Sequence, residues 1–439
     1  MIVLLVGGGG RENALAERLA ASPLLTALHA CPGNPGIAGH AKCHAVAVDD
    51  LEGILELASR LSAELVVVGP EAPLVAGLAD RLRQAGILVI GPDAAAAQLE
   101  GSKVFARDFC QRHDIPQPGF CQATNLDEAE VAIRRFCASG EGCVIKADGL
   151  AAGKGVIIAD SADEALAAAA SILGDAATPG AFGAAGASIV VEERISGIEA
   201  SLFALCDGVN AINFGTAQDY KRAHDGDKGP NTGGMGAVSP APAMTEQLEA
   251  KAWQRIVLPV LAGMAAEGKP YKGFLYVGLM LTAKGPQVIE FNCRFGDPEA
   301  EVVLPRLQSD LLTALVTAAE GGLSNLSLRW HSAGSGKAVA VTVIMANQGY
   351  PGAYQAGSRI DGVVKIEAEP AVHLYHAGTS LDAEGRLVAS GGRVLAITGL
   401  GPDQEAARAR AYAAVAEIDW PQGFFRRDIA SGDISKANS

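Results

Sequence analysis

The chain has 439 residues, of which 49% are hydrophobic and 19% charged, with 53 glycines and only three tryptophans. Such a composition belongs to an Ala- and Gly-rich α/β enzyme of about two to four domains and excludes a disordered or fibrous chain. A formal net charge of −14 and a pI near 5.1 exclude whole-chain attraction to nucleic acid or an anionic membrane, so an anionic substrate needs a local basic site.

The opening Met1-Ile2-Val3-Leu4-Leu5-Val6 has no basic n-region and runs straight into glycines, which marks a buried strand rather than a signal segment. No apolar run is long enough to span a bilayer, and the expected location is the cytoplasm. The eight cysteines form no CxxC pair, so zinc-ribbon and thioredoxin-like readings fall away and reduced, mostly buried thiols remain.

Residues 1–100 alternate strands (2–6, 45–48, 65–69, 87–90) with helices (from 11, 50–60, 74–85), the rhythm of an open parallel sheet. Gly69-Pro70-Glu71 and Gly91-Pro92-Asp93 end two of the strands, where ligand crevices form in such sheets. A helix at 102–112 precedes the breaker Ile115-Pro116-Gln117-Pro118-Gly119. Next come a hairpin (143–146 and 156–159), a helix at 162–173, and strands at 188–193 and 199–206. A long Gly-rich loop follows at 215–240, then a helix at 245–267 and strands at 273–281 and 286–292. Residues 328–439 form a β-rich end with strands near 337–345, 373–379 and 393–398 and a helix at 402–417. The expected boundaries are 1–101, 102–327 with a lid at about 121–191, and 328–439.

Gly7-Gly8-Gly9-Gly10-Arg11-Glu12 lies between a strand and a helix, where backbone N–H groups and the helix dipole suit a phosphate; a tight turn with close helix packing is the alternative. It is not the dinucleotide fingerprint, because the third glycine is replaced by Glu12 or Asn13 and no acidic residue follows at the ribose position. A second loop, Lys146-Ala147-Asp148-Gly149-Leu150-Ala151-Ala152-Gly153-Lys154-Gly155, fails as a Walker A motif. Its glycines enclose three residues instead of four, Lys154 is followed by Gly155, and a strand comes next. A Gly-rich hairpin tip with Lys154, and Lys146 on the strand beneath, suits a flap over nucleotide phosphates.

Carboxylates in the hinge Glu192-Glu193-Arg194-Ile195-Ser196-Gly197-Ile198-Glu199 suit adenine and ribose, although in isolation they equally suit an acidic solvated turn. The most informative string is Glu290-Phe291-Asn292-Cys293-Arg294. Strand alternation puts Glu290, Asn292 and Arg294 on one face, two oxygen ligands for Mg²⁺ beside a planar donor for a phosphoryl group. The loop containing Asp219, Lys221, Asn231, Thr232 and Gly233 mixes cations with glycines and is long enough to be functional. No Ser-His-Asp or Cys-His arrangement stands out, and phosphoryl transfer needs none.

Taken together, these strings resemble the phosphoribosylamine–glycine ligases, ATP-grasp enzymes of purine biosynthesis, along essentially the whole chain. The resemblance rests on Gly9-Gly10-Arg11-Glu12, Cys31-Pro32-Gly33-Asn34, Gly69-Pro70-Glu71-Ala72-Pro73, Gly101-Ser102-Lys103, the Lys146–Gly155 loop, Gly229-Pro230-Asn231-Thr232-Gly233-Gly234-Met235-Gly236, Glu290 through Glu299, and His376-Ala377-Gly378-Thr379. It implies a multidomain α/β and α+β fold: an amino-terminal parallel sheet, a central ATP-grasp domain with a mobile lid, and a carboxyl-terminal β-rich domain.

The resemblance also implies ATP with Mg²⁺ or Mn²⁺ as cofactors, the metal on Glu290 and Asn292. Lys103, Lys146, Gly153, Lys154 and Gly155 would contact ATP phosphates, and Glu192, Glu193, Ile195 and Glu199 its base and ribose. Glycine and 5-phosphoribosylamine are the implied substrates, bound by Gly9, Gly10, Arg11, Glu71, Asp219, Lys221, Asn231, Thr232, Gly233, Arg294 and Asp297. Arg294, Lys146 and Lys154 are the implied catalytic groups. A monomer in transient contact with the upstream amidotransferase is expected, without nucleic acid or membrane. Two residues depart from the family pattern: Asn13 stands where His is usual, expected to alter helix-start hydrogen bonding, and Glu301 where Gln is common, expected to add charge near the metal. The strand before Glu290 carries no carboxylate, so a further acidic metal ligand would come from Glu299 or Glu301.

Overall fold

The computed structural model describes residues 1–150, 155–174, 183–366 and 369–432. The amino-terminal parallel sheet has five strands in the order Lys42–Cys43, Ala27–Pro32, Ile2–Gly7, Leu65–Val68 and Leu88–Ile90. Its central strands read as unbroken apolar runs because helices cover both faces. Two expectations shift here. The strand placed at 45–48 is absent, the edge strand being the two-residue Lys42–Cys43, and the helix placed at 74–85 is split into Glu71–Val75 and Leu78–Gln84. The split occurs at Gly77, whose φ of +90° leaves helical geometry.

A four-stranded antiparallel sheet follows, in the order Phe120–Ala123, Ile189–Glu193, Cys143–Ala147 and Val156–Ala159. The last two strands form the expected hairpin. Helices Leu126–Phe136 and Ala162–Leu173 pack on this sheet through their alanine-rich faces. Each begins at a side-chain cap, Asn125 and Ser161, accepting from the N–H three residues on.

The largest sheet is mainly antiparallel and begins with Gly285–Asn292, Lys272–Thr282, Ile198–Asp207, Ala211–Asp219 and Gly236–Ser239. It continues without a break into Val339–Asn347, Arg393–Gly401 and Val372–His376. Central and carboxyl-terminal segments thus share one sheet across position 328. The region read as one long loop at 215–240 holds the end of Ala211–Asp219, a small hairpin of Arg222–His224 with Lys228–Asn231, and Gly236–Ser239. Its glycines hid the strand ends, since period-2 patterning is too short there to register.

One buried cluster joins Leu4, Val6 and Val66 of the amino-terminal sheet to Leu202, Val277 and Phe291 of the central one. This common core holds the two sheets against each other. No helix among the described residues is long and apolar enough to cross a membrane, and all eight cysteines are free.

Candidate active site

The strand Gly285–Asn292 lies at the edge of the large sheet and pairs with Lys272–Thr282, Gly278 opposite Glu290 and Tyr276 opposite Asn292. A register shift follows Gly278. A Cβ on Gly278 would fall 2.8 Å from Glu290 Cγ, so the bare glycine is what lets the Glu290 side chain stand up from the sheet. Glu290 keeps 38% of its side chain accessible, and its nearest ion-pair partner, Lys221 Nζ, is 3.7 Å away. Lys221, Lys146, Lys103 and Arg294 together hold its carboxyl below the usual carboxylate range despite burial. An accessible, ionised carboxylate and a carboxamide two residues on, with cations around them, have the donor chemistry for Mg²⁺ shared with phosphate oxygens. Among the described residues no group of three or more His, Cys, Asp or Glu gathers as a metal cage.

Beside Glu290, on the same face of the sheet, lies a second acidic group. Lys221 Nζ is 2.8 Å from Glu199 Oε2, with Asp219 and Glu299 nearby. Ser201 Oγ sits 3.0 Å from the Tyr276 hydroxyl and 3.4 Å from Glu299 Oε1. Burial is the first cause that pushes Asp219 up to about 6 and Glu299 up to about 7, with repulsion from Glu199 and Glu290 adding to it at Asp219 and from Asp219 at Glu299. Lys221 is driven well above its ordinary value by the surrounding carboxylates, which outweigh its desolvation.

Lys146 is buried at 7% exposure and reaches both Ile289 O at 2.8 Å and Glu192 Oε2 at 2.9 Å. Arg107 grips the same Glu192 with two nitrogens, at 2.7 and 2.9 Å, and donates to Val288 O and Ile289 O. The Glu192 carboxylate, expected near the base and ribose, is enclosed by these two cations. Glu193 accepts from Gly119 N–H at 3.2 Å. Ile195 remains half-buried in the hinge. Lys103 Nζ donates to Gly149 O at 2.9 Å, at the foot of the Gly-rich loop. Ser102 caps the helix Lys103–Arg112 and also donates to Asp148 Oδ1 at 2.9 Å. Gly155 O accepts from Ala147 N–H at 2.8 Å, closing the base of the hairpin. Gly153 and Lys154 lie outside the described residues.

Arg294 departs from the alternation argument. The strand ends at Asn292, and Arg294 sits in the following bend. Its Nε donates to Glu71 Oε2 at 2.8 Å, and Nη2 is 3.3 Å from Glu100 Oε1. Glu100 in turn accepts from Cys293 N–H at 2.7 Å. The guanidinium thus bridges the amino-terminal and central sheets while 20% of it stays accessible.

The Gly7–Gly10 loop holds a carboxylate of its own. Glu12 accepts from Gly9 N–H at 2.7 Å and from Arg11 Nε at 2.6 Å. A Cβ on Gly69 would fall 2.0 Å from Glu12 Oε1, so that glycine exists to admit this carboxyl. Arg11, 6% exposed, turns inward and donates to Phe295 O. At the same helix start the Arg11 backbone N–H is aimed at Asp297, whose carboxyl is also 2.7 Å from Arg393 Nη2. Arg393 further donates to Gly233 O and Asp297 O. Thr232 folds back on Lys221 O. Asn231 ends the small hairpin opposite Arg222.

Of the two departures, Asn13 accepts at Oδ1 from His376 N–H at 2.8 Å, tying the first helix to the carboxyl-terminal segment. Glu301 sits where a charge is disfavoured. Among the described residues neither of its carboxyl oxygens has a hydrogen-bond partner, it is fully buried beside Gly10, and burial with the neighbouring Asp297 drives its pKa well up, which favours the protonated form.

Sequence reading missed Arg107, Glu100, Ser201, Tyr276 and Arg393. Each meets its partner across a long separation in the chain, so no local spacing could reveal it. The sole available signal was a charged residue inside a helix or strand pattern that is otherwise apolar, as with Arg107 between Phe105 and Phe109.

Comparison with known proteins follows this geometry. Sequence models of the phosphoribosylglycinamide synthetase N domain, ATP-grasp (A) domain and C domain match residues 1–100, 101–300 and 340–432. The chain is 51% identical to the phosphoribosylamine–glycine ligase of Mesorhizobium japonicum over 98% of this chain and 97% of that protein. It is 50% identical to that of Agrobacterium fabrum over 99% of each. Its backbone matches the crystal structure of a phosphoribosylamine–glycine ligase from Thermotoga maritima with a TM-score of 0.82 at 32% identity, covering 98% of this chain and 100% of that one. A biotin carboxylase domain of Hydrogenobacter thermophilus 2-oxoglutarate carboxylase, in complex with MgADP, shares the fold at a TM-score of 0.70 and 18% identity, covering 97% and 91%.

Proposed function

The chain belongs to the phosphoribosylglycinamide synthetase family, and we infer from its site how it joins glycine to 5-phosphoribosylamine with ATP. The reaction is an ADP-forming ligation of purine biosynthesis. A glycine carboxylate oxygen attacks the γ-phosphorus of ATP, the bond to ADP breaks, and glycyl phosphate forms. The amine of phosphoribosylamine then attacks the glycyl carbonyl, loses a proton, and phosphate leaves with the bond that activated it.

The observation that carries this reading is the accessible Glu290–Asn292 pair ringed by Lys146, Lys103, Lys221 and Arg294. Glu290 and Asn292 would hold the Mg²⁺ that accompanies ATP, which neutralises phosphate charge; Mn²⁺ would suit the same oxygen donors. The lysines and Arg294 hold the triphosphate and the transferring phosphoryl group in line, and positioning with charge neutralisation supplies most of the rate. Gly153, Lys154 and Gly155 would contact the ATP phosphates and help keep water from the acyl phosphate, Gly153 and Lys154 lying outside the described residues. Glu193, Ile195 and Glu199 flank the base and ribose, while Glu192 holds Lys146 in place. Gly9, Gly10, Arg11 and Glu71 line the phosphoribosyl side. Asp219, Lys221, Asp297 and the Asn231-Thr232-Gly233 turn lie towards glycine and the amine. The enzyme works as a cytoplasmic monomer that meets the upstream amidotransferase transiently.

The mechanism is tested with ¹⁸O in the glycine carboxylate. One labelled oxygen per turnover is expected in the released phosphate; product without label in phosphate would exclude the acyl phosphate. Dependence of ADP release on glycine plus phosphoribosylamine, rather than bicarbonate, separates this ligase from carboxylases of the same fold.

A further inference from the structure

Two adjoining cavities of about 430 and 500 Å³ share Asn213 and Glu249 and together form a groove with no residue of the ligation site in its walls. Their size is that of small-molecule sites. The ends of the groove differ in charge. At one end Arg306 is 8% exposed, donating from Nε to Ala338 O and from Nη1 to Ser239 Oγ, both at 2.7 Å. Among the described residues it has no ion-pair partner, and its Nη2 donates to nothing yet is not enclosed. Burial alone pulls its pKa down to about 10, with no carboxylate offsetting the loss of water. A buried cation that faces a cavity without a counter-charge is costly unless an anion joins it. The Trp330 ring lies 5.8 Å from the guanidinium and forms a flat wall. Glu249 stands where the two cavities meet, accepting from Asn213 Nδ2, and Glu246 stands at the other end. Here the helix from Glu246 changes to a π-helical turn at Trp253–Val257, which places Trp253 and Gln254 on the wall; such turns recur at functional sites.

We propose that this groove binds a small organic monophosphate bearing an amino group at its far end, with the phosphate on Arg306, the amino group towards Glu246 and Glu249, and the body against Trp330. The site is separate from ligation.

The probes are AMP, IMP, which lacks the amino group, and inorganic phosphate, each titrated calorimetrically into the full chain saturated with ADP and Mg²⁺. AMP is expected to bind one site at least tenfold more tightly than IMP or phosphate, and Arg306→Met to weaken it at least tenfold. Because Arg306 also ties down backbone, a second variant guards the test: exposed Ser327 on the cavity rim becomes Trp, filling the groove. Ser327→Trp is expected to abolish AMP binding while ADP release with substrates is retained. The proposal is overturned if AMP gives no heat once ADP is bound, if Ser327→Trp binds AMP like the parent, or if phosphate or IMP binds as tightly as AMP.

Discussion

Glu290 and Glu192 are both carboxylates near bound cations, yet the structure gives them opposite tasks. Glu290 is accessible and its closest cation is 3.7 Å away, leaving room for a metal. Glu290→Gln is expected to lower kcat roughly 10²-fold with little change in thermal stability, since it removes an electrostatic group that acts on the transferring phosphoryl. Glu192 is enclosed, 2% exposed, between Arg107 and Lys146. Removing it leaves two buried cations uncompensated, so Glu192→Gln should cost about 3–5 kcal/mol in denaturant unfolding as well as activity. A variant that loses activity but unfolds like the parent would contradict that assignment. Glu301 supplies the pH-dependent case. Burial raises its folded pKa, so the native state holds its proton more tightly than the unfolded state between the unfolded and the raised folded pKa. Stability from this group therefore falls as pH rises through that window, and Glu301→Gln should remove the decline. Melting curves of the two proteins are expected to diverge increasingly from about pH 5 upwards.

At the scale of single elements, the active-site strand depends on its neighbour. Gly278→Ala places a methyl group 2.8 Å from Glu290 Cγ and 3.3 Å from the Tyr276 ring, within a β-bulge that cannot slip without shifting the register. Activity should drop steeply while the fold persists, measured as ADP release against circular dichroism. The helix Lys103–Arg112 starts at Ser102, which caps Phe105 N–H at 3.0 Å and holds Asp148 on the Gly-rich loop. Ser102→Ala should cost about 1 kcal/mol of stability and raise KM for ATP more than it lowers kcat, because the loop foot loosens before the chemistry is touched.

Across the whole molecule, the site is assembled from three parts of the chain held on a common core and a continuous sheet. Arg393, from the carboxyl-terminal part, pins Asp297 and Gly233, while Glu71 from the amino-terminal part steadies Arg294. Arg393→Met should impair ADP release at saturating ATP without changing ATP affinity; an equal loss of ATP affinity would argue against this division. Much was legible beforehand. The apolar runs at residues 2–6 and 65–68 and the Glu290-Phe291-Asn292 alternation are local patterns, and local patterns suffice to identify a parallel sheet, a hairpin and an oxygen-ligand pair. The strands inside 215–240 were not legible, because glycines interrupt their patterning. Nor was the turn of Arg294 away from the strand face towards Glu71 and Glu100. The sequence by itself therefore determined which residue types stand together along the chain, and through its family strings the reaction. The tertiary structure alone decided which charges neutralise one another and which stay open to ligands. That choice depends on groups far apart in the chain, such as Arg107 and Glu192 or Arg393 and Asp297, meeting where water is excluded and each unpaired charge is costly.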